Sequence, residues 1–286
     1  MFISDKSSKI YAYPGRPRIK ITSFITAALV LWMLSTKIIV EPTPRPEFTR
    51  ELQTLRPMIL QAAHRHNVAP ISKMSDSDFA VVITLILYNE DLGSLEEKVS
   101  LLRATTLVRQ EVEIILNEFL GSNFSIRPSN IRPSVAYEMF QHQLPVPSPQ
   151  NTITIPILIF GSSLNSQANI PQRDLYAAIT RELAQPNKAV EYLAANLERG
   201  MYRAQYEGVS ANWEALMAWH IRGIVSPRDI RNNRDAYNYT QRILYLVYAC
   251  ELIYPDIRQS NSQICRFMNQ QNNFAIDNRT EIRSKT

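Results

Sequence analysis

Phe79-Ala-Val-Val-Ile-Thr-Leu-Ile-Leu-Tyr88, closed by Asn89-Glu90-Asp91, is the stretch on which the reading of this chain turns. It is apolar at nearly every position, so it offers solvent no polar face. A helix that is apolar on all sides is a buried helix. Ser75-Asp-Ser-Asp78 supplies capping residues for its start, and Gly93 ends it. The last turn therefore carries Glu90 to the edge of a hydrophobic interior. Burial raises a carboxyl pKa, and a protonated carboxylic acid at neutral pH is what general-acid chemistry on an ether or glycosidic oxygen requires. The alternative is that Glu90 merely marks where the core stops and solvent begins.

Around this helix the chain is built for a large core. Of its 286 residues 45% are hydrophobic, and only 7 are glycine, far below the usual share of about 7% of positions. Scarce glycine and few alternating runs predict a mainly α fold. The formal charge of +5 is not a binding face: residues 1–20 hold Lys6, Lys9, Arg16, Arg18 and Lys20 against Asp5 alone. Basicity confined to a tail, with no basic stripe interleaved with aromatics, argues against a nucleic-acid partner.

Ile21 to Val40 is long and apolar enough for a membrane span, with Lys37 near its end able to snorkel. The long basic tail and the lack of a small-x-small cleavage site favour an anchor over a signal peptide. The tail is then cytoplasmic and residues 41–286 lie outside a membrane crossed once. Cys250 and Cys265 fall in that exported part, either as a disulfide or as buried thiols. His64 and His66 lack a third ligand at metal spacing and read as a surface helix end. No metal and no cofactor are expected.

The expected organisation is a basic tail (1–20), the anchor (21–40), a stiff linker and leading helix (41–74), a helical domain (75–255) and a polar tail (256–286). Within it, Phe48 to His66 reads as a helix. Ser94-Leu-Glu-Glu97 is a capping box opening a helix to Leu120, with Gly121 as its stop. Leu95, Val99, Leu102, Val108, Val112, Ile115 and Phe119 share one face of it and read as core. The proline-rich segment 141–174 reads as a long surface excursion able to line a cleft, with an extended stretch from Thr152 to Phe160. Helices follow from Gln172, Pro186, Asn212 and Ser226. An apolar helix from Asp235 runs to Pro255.

The segment Gly121-Ser-Asn-Phe-Ser-Ile-Arg-Pro-Ser-Asn-Ile-Arg-Pro-Ser-Val-Ala136 resembles the cleft motif of lysozyme-like lytic transglycosylases, small-aliphatic-Gly-x-x-Gln-Ile-x-Pro-Ser-Thr-Ala. Ser125 and Ile126 match its opening pair, Asn130 stands at the Gln position, and Ile131, Pro133, Ser134, Val135 and Ala136 complete it. Three later segments follow in the family's order. Gln185 to Ala194 resembles the helix built on Asn-x-x-x-Gly/Ala-x-x-Tyr-Leu. Asn212 to His220 resembles the helix that ends Ala-Tyr-Asn-x-Gly. Asp235 to Ile243 resembles the terminal Tyr-Val segment and puts Tyr239 at the cleft tyrosine. The resemblance spans roughly residues 75–255.

Three departures stand out. Arg127 replaces the motif's glycine, Asn130 is shorter than Gln, and Trp219-His-Ile-Arg-Gly223 replaces Tyr-Asn-x-Gly with one residue more. The resemblance implies a lysozyme-like domain that cleaves the β-1,4 bond between N-acetylmuramic acid and N-acetylglucosamine in peptidoglycan, giving 1,6-anhydro ends. It implies Glu90 as the single catalytic acid, and Ser125, Arg127, Asn130 and Tyr239 as substrate-binding residues. Asp91, Glu96 and Glu97 are poor second catalysts: Asp91 points about 100° away on the helix. Ser125 and Asn130 would bind acetamido or hydroxyl groups. Tyr239 either orients Glu90 or is a core tyrosine. Arg127 binds a carboxylate of the substrate, plugs the site or lies solvated on its rim. A catalytically idle glycan-binding or scaffold protein of the same fold is the second reading.

Overall fold

The computed structural model describes residue 44 and residues 46–92, 106–166, 171–255 and 262–266. Its order is α1 (Pro46–His66), α2 (Ala69–Ser72), α3 (Asp76–Leu92), α4 (Thr106–Leu120), α5 (Pro133–Phe140), β1 (Gln143–Pro145), β2 (Thr152–Thr154), α6 (Gln172–Leu183), α7 (Pro186–Tyr206), α8 (Trp213–Arg222), α9 (Pro227–Asn232), α10 (Arg234–Thr240) and α11 (Leu246–Ile253). Short 3-10 turns occupy Ser163–Ser166 and Ile243–Tyr245. The protein is mainly α, and the described residues form one compact unit.

Helix α3 is the central rod. Ser75 caps it: its hydroxyl accepts from the Asp78 amide at 3.0 Å and donates to the Asp78 carboxylate at 3.0 Å. From Phe79 to Leu87 every side chain is fully buried. Deleting one of them, for example Leu85→Ala, would cost about 2–5 kcal/mol. Around this rod pack α1, α7, α8 and α11. Helix α1 presents Leu52, Leu55, Ile59, Ala62 and Ala63 as a buried stripe, so the leading helix belongs to the same core.

Helix α7 is a second buried rod, and Gly200 lets α8 approach it. A Cβ at Gly200 would meet the Trp219 ring at 2.7 Å. The Trp219 indole N–H donates to the Asn196 carbonyl at 2.7 Å, which locks the two helices together. Asn212 caps α8 by accepting from the Ala215 amide at 2.9 Å.

Several expectations change. Val108, Val112, Ile115 and Phe119 are exposed, from 47% to 66%. Periodicity identified a face of α4 but not which face turns inward. The opposite side, with Gln110, Glu113 and Asn117, points to the interior: Asn117 is fully buried and bonds both backbone groups of Phe124. Leu95, Val99, Leu102, Gly93 and the box at 94–97 lie outside the described residues, whereas Gly121 ends α4 at φ +64°.

The described part of segment 141–174 runs along the surface as expected, with most of its residues exposed and Pro145 in a cavity wall, but its apolar positions tie it to the core. Strands β1 and β2 pair antiparallel with Leu144 opposite Ile153, and Leu144, Val146, Ile155, Ile157 and Ile159 are buried in the core. The helix expected from Asp235 to Pro255 breaks after Thr240 and restarts at Leu246. Cys250 and Cys265 are joined as a disulfide, which holds Ser262–Arg266 against α11 within the stretch assigned to a polar tail. His66 is buried, not at a surface end. The basic tail and the expected anchor at 21–40 lie outside the described residues. Among the described residues no helix is long and apolar enough to cross a membrane.

Candidate functional site

Glu90 ends the buried part of α3 with its side chain 9% exposed. Three elements remote in sequence converge on it. From the loop after α4, the Asn130 amide donates to Glu90 Oε2 at 2.6 Å. Asn130 sits at φ +53°, a left-handed backbone that asparagine tolerates better than most residues. A bridge between Ile126 and Ile131 closes the turn that presents it. From α10, the Tyr239 hydroxyl donates to Glu90 Oε1 at 2.5 Å. From α8, His220 Nε2 stands 3.4 Å from the same oxygen with its side chain 2% exposed.

Both carboxyl oxygens are thus engaged, and this reverses the expected electrostatics. Burial pushes the Glu90 carboxyl up, but the adjoining His220 and the hydrogen bonds from Tyr239 and Asn130 outweigh it and hold the carboxyl below its ordinary value. The surroundings of Glu90 therefore favour the carboxylate over the neutral acid. Tyr239 goes the other way: burial and the neighbouring Glu90 raise its hydroxyl well above 10.0.

Glu90 opens onto a cavity of about 450 Å³ with Asn89, Arg109, Glu113, Arg127, Asp235, Tyr239 and Arg242 in its walls. A second cavity of about 420 Å³ contains Arg132, Arg199, Trp219 and His220. Ser125, Asn130, Ile221 and Arg222 belong to both, so the two spaces meet at a neck beside Glu90. The other carboxylates of the first cavity are occupied: Glu113 with Arg109 at 2.8 Å and Asp235 with Arg222. Asp91 lines a different cavity with Glu47 and Glu51, while Glu96 and Glu97 lie outside the described residues.

The five residues expected at a site divide into two groups. Asn130 and Tyr239 touch Glu90 directly, so Asn130 spends its amide N–H on the carboxylate rather than leaving it free for a sugar. Tyr239 both orients Glu90 and lies in the core, 3% exposed. Ser125 and Arg127 line the cavity without touching the acid. Arg127 has no ion pair among the described residues, and its Nη1 is buried without a partner. Sequence reasoning missed three residues. His220 was visible only as a departure from Tyr-Asn-x-Gly. Asn89, 1% exposed, lines the cavity with both amide atoms unpartnered. Arg242 lies 5.1 Å over the Tyr239 ring. Among the described residues no group of three or more His, Cys, Asp or Glu side chains is placed to hold a metal ion.

Comparison of the chain with protein-family models, with curated proteins and with solved structures finds no match.

Proposed function

We propose that this protein is a divergent lysozyme-like lytic transglycosylase that cleaves peptidoglycan glycan strands with Glu90 as its single acid and base. The observation that carries the reading is the convergence on Glu90. An acid at the end of a buried helix meets an asparagine from the cleft-like motif and a tyrosine from the last motif segment, at the neck of two cavities. These residues were singled out by the order of their motifs, and that order gives no reason for them to touch unless the resemblance extends to the fold.

The chemistry needs one carboxyl group. Protonated Glu90 donates to the glycosidic oxygen as the bond to the muramic anomeric carbon breaks. The resulting carboxylate accepts the proton of the muramic 6-hydroxyl, whose oxygen closes on that carbon. Ordinary glycosidases flank the bond with two free carboxylates. Here Glu113 and Asp235 are tied up with arginines, which favours the single-acid route. Tyr239 and Asn130 fix the carboxyl in place, and Arg127, Asn89 and Ser125 offer polar contacts to the ligand. The Cys250–Cys265 disulfide fits an oxidising compartment outside the cytoplasm, as does the expected anchor.

One observation favours the idle glycan-binding alternative: both Glu90 oxygens already accept hydrogen bonds, and those bonds favour the carboxylate form. Digestion of purified peptidoglycan by the full chain, read by mass spectrometry, separates the two. Anhydro-muropeptides that vanish in Glu90→Gln support the enzyme. Binding to glycan without products supports the idle module, and neither products nor binding removes both.

A further inference from the structure

The chemistry at Glu90 leaves the second cavity without a role. Its volume of about 420 Å³ falls within the roughly 300–1,000 Å³ of ordinary ligand sites. Its wall is rich in cations, with Arg132, Arg199, Arg203 and Arg222 against Glu138 alone. Three of the four are already occupied. Arg199 pairs with Glu138, Arg203 with Glu207 and Arg222 with Asp235. Arg199 and Arg203 also tie β1 to α7, donating to the carbonyls of Gln143 at 3.2 Å and Pro145 at 2.6 Å. Arg132 is different. It is exposed at the entry to α5, its side chain makes no capping bond, and among the described residues it has no ion pair.

The same wall leaves polar atoms unpaired. Asn196 Oδ1 and Arg199 Nε have no hydrogen-bond partner, although the residues are only 4% and 1% exposed. The two stand three positions apart on α7, so they are neighbours on one face of the helix. From α8, His220 adds an unpartnered Nδ1 to the same wall. Most buried polar atoms in proteins are paired, so several orphans around one cavity point to a ligand that completes them.

An acceptor set among donors narrows the class of that ligand. A lone carboxylate serves Arg132 and Arg199 but offers nothing to Asn196 Oδ1. The end of a peptide offers both, a carboxylate and a nearby amide N–H. We propose that this cavity binds the carboxylate end of a short peptide carried by the glycan strand, with Arg132 pairing the carboxylate and Asn196 accepting the amide N–H. Resting on the lytic reading above, this makes Arg132 a specificity-determining residue: the strand passes the neck at Glu90 while its peptide occupies the second cavity. The contact is separate from that of Arg127, which belongs to the wall of the other cavity.

The test uses the full chain and a soluble GlcNAc-MurNAc disaccharide bearing a short peptide, which has no MurNAc–GlcNAc bond to cleave. The probe is prepared as the free acid and as the C-terminal amide. Calorimetry measures affinity, and the ¹⁵N resonance of Arg199 Nε reports whether the ligand lies in this cavity. The free acid should bind about tenfold more tightly than the amide and move the Arg199 resonance. Arg132→Ala should abolish that preference. Asn196→Asp, which sets a second anion beside the carboxylate, should weaken the free acid by about tenfold or more.

Equal affinity for acid and amide in the parent overturns the proposal, as does an Arg132→Ala protein that keeps the preference or an unmoved Arg199 resonance. Displacement of the probe by an equal concentration of inorganic phosphate also overturns it, because the cavity is then an unselective anion site. Digestion of peptidoglycan separates this result from the lytic reading. Anhydro products without any acid preference leave the lytic reading standing and remove the peptide site. An acid preference without anhydro products keeps the site and ends the lytic reading.

Discussion

Two buried histidines meet buried glutamates in this protein, and the two places are built to opposite ends. At the junction of α1 and α7, His66 Nδ1 meets Glu198 at 2.7 Å and Nε2 meets Glu191 at 2.9 Å. Arg65 adds a bidentate pair to Glu191 and covers the Phe160 ring at 4.9 Å. Two carboxylates thus face two cations, and every ring nitrogen is spoken for. At the neck of the cavities, His220 has one engaged nitrogen and one without a partner, and Glu90 faces open space. The first cluster pairs both histidine nitrogens and holds α1 against α7, although a cavity of about 290 Å³ also opens on Arg65 and Glu191. The second leaves a buried histidine nitrogen without a partner, and that is the difference between them.

The sharpest break in the comparison is activity against stability. On the lytic reading, Glu90→Gln should lower anhydro-muropeptide release by about 10²–10⁴-fold, a far larger effect than the stability lost with one buried acceptor oxygen. His66→Ala should do the reverse. Leaving Glu198 without its partner, and Glu191 with Arg65 as its remaining cation, should cost about 3–5 kcal/mol in denaturant unfolding. Substrate turnover by the remaining folded protein should stay within about twofold of the parent, since the cluster touches no reacting group.

The same cluster predicts a pH dependence of stability. Burial lowers the pKa of His66, but the hydrogen bonds and charges of Glu191 and Glu198 outweigh it and raise the group above 6.5. A group with a raised folded-state pKa stabilises fully below its unfolded value, and that contribution disappears as pH rises through the folded value. Urea midpoints should therefore decline from about pH 6.5 upward in the parent, and His66→Leu should flatten that decline. A parent midpoint that rises through this range would contradict the charge assignment.

The smallest effect is expected at Arg127. Its buried, unpartnered Nη1 beside the cavity should gain a carboxylate of the ligand. Arg127→Ala should raise KM by a factor of about ten for glycan that carries stem-peptide carboxylates, with kcat unchanged. Equal loss on glycan stripped of peptide would assign Arg127 to the loop instead.

Much of the fold was legible locally. The run 79–88 has no polar face, so its burial follows from composition alone, and Ser75 and Gly121 terminate helices by backbone chemistry that their neighbours do not alter. Of the candidate site, Glu90 came from the apolar run that ends at it, and Asn130 and Tyr239 came from segments that resemble family motifs. His220 did not, because nothing in Trp219-His-Ile-Arg-Gly223 records that Gly200, on a different helix, allows α8 close enough to bring that ring to Glu90. The stripe on α4 failed for a related reason: spacing defines two faces, and only the packing partners choose between them.

The sequence by itself determined that α3 is buried, that it ends in an acid, and that the protein is mainly helical. Those properties depend on neighbours within a few residues. Only the tertiary structure decided the ionisation of that acid, because burial and hydrogen bonding act in opposite directions and their balance depends on residues 40 to 149 positions away. It also decided which histidine has both nitrogens paired and which has one without a partner. Electrostatic energy depends on distance and solvent, and neither is written in the order of the residues.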